Sequence, residues 1–350
     1  MNPANKVRVA VNGYGVIGKR VADAVAQQDD MELVGVADIS VDWRPRMATQ
    51  KGFRLYGATE DHVEAMRNAG LDVVGNLDDL LAASDLVVDC TPKKIAAVNV
   101  AIYRQRGIKF IVQGGEKHEV TGHSFVAEAS YASALNRDST RVVSCNTTSI
   151  VRTLTALKHT GLLRRARGTL LRRATDPWES HLGGIMNTLV PEPEIPSHQG
   201  PDAQSVGPDL DVITMAVNVP ETLAHLHYWS VQLTRPASKD EVLDAFSASS
   251  RIALNRMDAG LTALNTVKEL MADLGRPHDN LYEVALWSDM LKVEGDELFY
   301  AYMVDNQAIV IPETIDAIRA LTGTISNAEE SIAKTDASLG IGLLTEVLGK

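Results

Sequence analysis

The strongest constraint on this fold lies near the start of the chain. The β-branched run Val7 to Val11 leads directly into Asn12-Gly13-Tyr14-Gly15-Val16-Ile17-Gly18-Lys19-Arg20, and Val21, Ala22 and Val25 continue at helical spacing. A G-x-G-x-x-G repeat alone says little, but between a strand and a helix it is a dinucleotide-binding fingerprint. Gly13 makes the tight turn, Gly15 lets backbone approach a pyrophosphate, and Gly18 lets helix and strand pack closely. The helix N-terminus beyond them offers N–H donors to an anion. A second strand reads from Leu33 to Ala37, with Asp38 at its end, twenty residues after Gly18. An acidic residue there accepts from the adenosine ribose hydroxyls and repels a 2′-phosphate, which favours NAD over NADP. Arg44 and Arg46 argue the other way, and a turn-capping carboxylate is the plainer reading of Asp38.

The alternation continues. Asn76 caps a short helix from Leu77 to Ala83, and Leu86 to Asp89 is a strand ending in Cys90-Thr91-Pro92. Ile95 to Arg106 reads as a helix stopped at Gly107. Lys109 to Val112 is a strand followed by Gln113-Gly114-Gly115-Glu116-Lys117-His118. Paired glycines at a strand end suit close approach of backbone to a ligand; His118 reads as a polar surface residue. Strand and helix in turn predict an α/β fold with a parallel sheet. A chain of 350 residues has room for a second domain with its own core. The net charge of -11 disfavours a nucleic-acid or anionic-membrane partner. Cys90 and Cys145 are the only cysteines, which excludes a disulfide framework and a cysteine-based zinc site. No signal-like or membrane-length apolar run is present, so the expected compartment is the cytoplasm.

Chemistry concentrates at Val142-Val143-Ser144-Cys145-Asn146-Thr147-Thr148-Ser149. An apolar run ends at a cysteine and a helical pattern follows, with Asn146 or Thr147 best placed as N-cap. Near the positive end of a helix dipole the thiol pKa is expected to fall, favouring the nucleophilic thiolate. A buried structural cysteine is the plainer alternative. Residues 168–174 read as a strand delivering Arg172 and Arg173 to the loop Thr175-Asp176-Pro177. Met186 to Asp211 is a long Pro- and Gly-rich stretch, of a kind often functional in a compact domain. Strict alternation from Leu223 to Leu233 puts Leu223, His225, His227, Trp229 and Val231 on one face. Two histidines without a third ligand do not make a metal site. Pro312 starts the helix from Ile309 to Leu321.

Three segments together resemble the archaeal-type (type II) glyceraldehyde-3-phosphate dehydrogenases: the run Val9 to Val25, Gln113-Gly114-Gly115-Glu116-Lys117-His118, and Ser144-Cys145-Asn146-Thr147-Thr148. The resemblance keeps the family order over nearly the whole chain. It implies a Rossmann-type doubly wound parallel sheet in a dinucleotide domain, residues 1–144, with 309–350 packing back on it. It implies a catalytic α+β domain, 145–308, with a mixed or antiparallel sheet, and a homotetramer. The implied reaction is the phosphorylating oxidation of glyceraldehyde 3-phosphate with NAD or NADP in glycolysis or gluconeogenesis. Inorganic phosphate is the second substrate. Position by position, Cys145 is the implied nucleophile and His225 the general base. Ser144, Asn146, His198 and Gln199 face substrate. Gly13, Gly15, Val16, Ile17, Gly18, Asp38, Gly115, Arg173 and Gln307 lie on the cofactor side. Gln199 stands where the family often has a second histidine. Ala37-Asp38 stands where many relatives have Thr-Lys, which supports NAD. Arg172 or Arg173 suits a phosphate. Two other readings keep part of this pattern: an aspartate-semialdehyde or erythrose-phosphate dehydrogenase, and a non-catalytic dinucleotide-binding sensor.

Overall fold

Short, largely buried strands, several of them rich in valine, build the first half of the chain. In this computed structural model, which describes residues 6–113, 115–177 and 187–348, the chain forms two compact units. The first holds residues up to Val143 together with Ile311–Leu339. Its strands are β1 (Val7–Asn12), β2 (Met31–Asp38), β3 (Leu55–Gly57), β4 (Val73–Asn76), β5 (Leu86–Asp89), β6 (Lys109–Val112), β7 (Ser124–Phe125) and β8 (Ser139–Val142). They form one sheet in the order β4-β3-β2-β1-β5-β6-β8-β7, with every pairing parallel. All of β5 is buried, as expected when helices cover both faces of a parallel sheet. The strand order reverses between β1 and β5, and the crevice outside the carboxyl ends at such a point is where α/β sheets bind ligands. Gly13, Asp38 and Cys90 all lie at those ends. The sequence-based expectation of a doubly wound parallel sheet is met.

The return of the chain to this unit rests on one buried cation. Arg319, on the helix Val310–Thr322, has no exposed surface. Its Nε and Nη2 donate to the two oxygens of Asp30 at 2.8 and 3.0 Å, and Nη2 also reaches Gln28 Oε1 at 2.7 Å. Nη1 donates to Thr335 Oγ1 on the helix Ala328–Leu339. The bidentate geometry is the strong form of this pairing.

The second unit runs from Ser144 to Val310 and takes in the segment from Gly340. Its strands are β9 (Leu163–Arg173), β10 (Val190–Pro191), β11 (Val212–Val219), β12 (His225–Leu233), β13 (Ile252–Asn255), β14 (Val284–Trp287), β15 (Lys292–Glu294) and β16 (Glu297–Val304). The sheet order is β10-β11-β9-β12-β16-β14-β13, with β15 on β16. The sheet is mixed: β9 with β11 and β13 with β14 are parallel, the other pairs antiparallel. The helix Cys145–His159 packs on one face, and Asn146 through Leu157 are buried without a break. Along β12 His225, His227, Trp229 and Val231 point into that core, as the alternation read from the sequence has it, whereas Leu223 lies before the strand and is only partly buried. Gly168 makes room for the indole of Trp229, 2.6 Å from where a Cβ would stand.

Candidate active site

The glycine turn after β1 has two closed positions and one open one. Gly13 has φ +92°, and a Cβ there would sit 2.9 Å from the Cys90 carbonyl carbon. A Cβ on Gly18 would sit 1.8 Å from Gly13 O. Protein backbone therefore demands glycine at both. Gly15 differs: a Cβ there would meet nothing within 4 Å, and no side chain caps the helix Val16–Ala26 that it begins. Backbone at Gly15 is thus uncovered, at a helix start whose first N–H groups have no partner within the helix. That cradle fits a dinucleotide pyrophosphate.

Asp38 is both turn cap and ribose candidate. Its Oδ2 accepts from Tyr14 N at 2.7 Å, and its Oδ1 from Ile39 N and Ser40 N, each at 2.8 Å. Three of about four acceptor positions on the carboxylate are thus used to fix the loop. The arginines weighed against it are occupied: Arg44 pairs with Asp42 at 2.7 Å, and Arg46 donates to Ala69 O at 2.8 Å. Gly115 is exposed after β6, and Gly114 lies outside the described residues.

In the second unit the helix that carries Cys145 starts two to three residues earlier than the capping pattern suggests. Ser144 is the N-cap, its Oγ accepting from Thr147 N at 3.3 Å, and Cys145 is the first helical residue. Asn146 and Thr147 do not cap because their side chains are used elsewhere. Thr147 Oγ1 donates to Asp202 at 2.7 Å, and Asn146 Oδ1 accepts from His227 Nε2 at 2.8 Å. The expected fall in the thiol pKa is also corrected. Burial pushes the half-buried Cys145 thiol up to about 11, against the pull of Arg173, the Asn146 backbone amide and Arg172, while Asp305 adds to the rise. Desolvation outweighs the helix end here, so the resting side chain is a thiol poised among cations.

Both histidines of β12 are neutral, for the same main reason. Burial holds His225 well below its ordinary value, with His227, Arg173 and Arg172 adding to the effect. Its Nδ1 accepts from Arg173 N at 3.0 Å, which places the proton of the neutral ring on Nε2. Burial lowers His227 to about 3. Its Nδ1 lies 3.0 Å from Tyr302 Oη, so Asn146, His227 and Tyr302 form one buried chain ending beside Cys145.

The two arginines at the end of β9 diverge. Arg172 pairs with Glu192. Arg173 pairs with Asp176 at 3.0 Å, and Asp176 also accepts from Gln307 Nε2 at 2.6 Å. The two residues assigned to the cofactor side from sequence, Arg173 and Gln307, thus share one carboxylate. Asp305 holds the Gln307 loop by accepting from Gln307 N at 2.9 Å and Ala308 N at 3.2 Å. The pair His198 and Gln199 splits: His198 is exposed, while Gln199 is fully buried with both amide atoms unpaired among the described residues. In this arrangement Gln199 presents no surface to a substrate. Asp176, Glu192 and Tyr302 went without a role in the sequence reading. The turn Thr175-Asp176-Pro177 directly after Arg173 was a local clue to the first; the other two pair across long sequence separations.

Among the described residues no group of His, Cys, Asp and Glu could hold a metal ion, and no helix is long and apolar enough to cross a membrane. Residues 144–274 match the family model described as glyceraldehyde 3-phosphate dehydrogenase, C-terminal domain. Residues 7–121 match the one described as dihydrodipicolinate reductase, N-terminus. The chain is 44% identical over 337 residues to the glyceraldehyde-3-phosphate dehydrogenase of Methanococcoides burtonii, covering 96% of this chain and 99% of that one. The protein of the same name from Thermococcus kodakarensis is 44% identical over 336 residues, with 96% and 99% covered. That from Pyrobaculum calidifontis is 46% identical over 336 residues, with 95% and 97% covered.

Proposed function

The chain belongs to the glyceraldehyde-3-phosphate dehydrogenase family, and from that premise we propose that it oxidises glyceraldehyde 3-phosphate to 1,3-bisphosphoglycerate, with inorganic phosphate as co-substrate and NAD or NADP as oxidant. One observation carries the reading. Cys145 opens a buried helix under the electrostatic influence of Arg172 and Arg173, the same two side chains that act on His225.

In this account the Cys145 sulfur attacks the aldehyde carbon as its thiol proton passes to the carbonyl oxygen, which gives a hemithioacetal. His225 first serves as donor: its Nε2–H meets the substrate oxygen as that oxygen gains charge. To accept the hydroxyl proton as general base, as the family resemblance implies, the ring must give up its bond from Arg173 N. Loss of the proton and of a hydride converts the hemithioacetal to a thioester. The bound nicotinamide supplies the hydride acceptor. Inorganic phosphate then attacks the thioester, releasing the acyl phosphate and restoring the thiol. Arg172 suits a phosphate by shape and charge. Ser144 and His198 are assigned to substrate. Asn146 acts through its backbone N–H, which supports the sulfur. Gly13, Gly15, Val16, Ile17 and Gly18 hold the dinucleotide, and Asp38 keeps one acceptor position for a ribose hydroxyl, which favours NAD.

Exposed apolar residues on one face of the second sheet support assembly of a homotetramer. Ile213 and Met215 on β11, Tyr228 on β12 and Phe299 on β16 are 37%, 44%, 43% and 37% exposed. Two free cysteines suit a reducing cytoplasm. The test is the initial rate with glyceraldehyde 3-phosphate, using NAD and NADP in turn, with and without inorganic phosphate. Phosphate-dependent formation of reduced nucleotide is expected; turnover indifferent to phosphate, or none, overturns the reading.

A further inference from the structure

Arg172, the assigned phosphate partner, already carries an anion. Its Nη1 pairs with Glu192 Oε1, and the other oxygen of that carboxylate lies 3.6 Å from His198 Nδ1. One acidic side chain therefore joins the two residues given above to phosphate and substrate. The two partners differ in how they are held. Arg172 lies within β9, opposite Asn218 of β11, and its Nε is buried with no hydrogen-bond partner among the described residues. Glu192 follows the edge strand β10, fixed by its N–H to Ala216 O at 2.9 Å. Its side chain is 20% exposed and unbranched, so the carboxylate can swing away while the strand stays in place. A carboxylate held through Nη1 leaves the guanidinium incompletely satisfied, whereas an oxyanion with more oxygens can also engage its orphaned N–H.

We propose that Glu192 is a displaceable internal anion, holding the Arg172–His198 subsite until a phosphate oxyanion takes its place. The inference rests on the reading of Arg172 as phosphate partner. Two ligands share that chemistry: the monoester of the aldehyde substrate and free inorganic phosphate. Either must compete with a carboxylate tethered at high local concentration, and two anions on one guanidinium repel each other. Glu192 therefore sets the affinity for phosphate and not the rate of the chemical step.

Glu192→Gln keeps the size of the side chain and removes its charge. The expected result is a fall of about fivefold or more in apparent KM for the anion that uses the subsite, with a much smaller change in kcat. If inorganic phosphate is that anion, its KM falls and that of the aldehyde does not; if the monoester is, the reverse holds. Sulfate, used as a non-reacting probe, should raise the melting temperature of Glu192→Gln at lower concentrations than it does for wild type. Glu192→Asp, which draws the charge back by one methylene, should shift the same quantities less. Unchanged or raised KM for both ligands, with an unchanged sulfate response, overturns the proposal. Should neither protein turn over, the activity reading fails, and the sulfate curves for the two variants still decide this inference.

Discussion

Acidification from pH 7 to pH 5 should cost this protein more stability than its carboxylates explain, and His227 isolates the cause. The ring has no exposed surface, and burial lowers its pKa to about 3 from 6.5. A histidine held neutral in the folded chain takes up its proton on unfolding. The stability it confers is therefore complete above pH 6.5 and is lost as pH falls toward the folded value. One pKa unit is about 1.4 kcal/mol, so at pH 5 the loss from His227 is about 2 kcal/mol. His225 shifts in the same direction and adds to the loss. His227→Gln keeps a donor and an acceptor of similar reach but cannot titrate. At pH 7 the variant should be less stable than wild type by about 1–3 kcal/mol, through poorer bonds to Asn146 and Tyr302. At pH 5 that gap should have narrowed by about 2 kcal/mol, because wild type loses what the variant never had. Urea unfolding at both pH values, followed by tryptophan fluorescence, measures the gap. An identical gap at pH 7 and pH 5 refutes the picture of a buried neutral ring.

The glycine turn offers a paired test. Gly15→Ala meets open space and loses only the N-cap preference of glycine over alanine, so its melting temperature should fall by no more than about 1–4 °C while NAD affinity drops about tenfold, from the bulk added beside the pyrophosphate. Fluorescence titration reads the affinity, and equal binding speaks against a ligand at Gly15. Gly18→Ala sets a methyl group 1.8 Å from Gly13 O and should lower the melting temperature as well as nucleotide binding. Arg319→Ala leaves buried Asp30 with Lys334, 3.8 Å away, as its remaining ion-pair partner and should cost about 3 kcal/mol in urea unfolding, the low end for a broken buried pair; a loss under about 1 kcal/mol would show the pair to be dispensable.

Local signals made much of the fold legible. The helix capped by Asn76 and the one stopped by Gly107 are where turn and cap chemistry put them. The period-2 pattern of β12 identified its buried face. The helices Trp43–Gln50, Glu60–Asn68 and Ala127–Ala134 carry weak sequence signals: the first buries only Pro45 and Ala48, the second only Val63 and Met66, and the third is mostly alanine and serine. β9 begins at Leu163, before the stretch read as strand, because exposed Arg164 and Arg165 interrupt the apolar pattern. At the site, residue types and order located Cys145, His225 and the glycine turn. The ionisation of Cys145 was not legible, since it depends on how deeply later strands cover the start of the helix. Nor was the tautomer of His225, which is fixed by an amide more than fifty residues away.

Replacement of Cys145 by serine bears on the central claim most directly. The holoprotein is mixed with glyceraldehyde 3-phosphate and NAD, without phosphate, and both the reduced nucleotide of the first turnover and the mass of the chain are measured. Wild type should give a burst of reduced nucleotide matched by an acyl group on the peptide containing Cys145. Cys145→Ser should bind NAD as wild type does and give neither. A burst that survives the substitution, or an acyl group on another residue, would contradict the account.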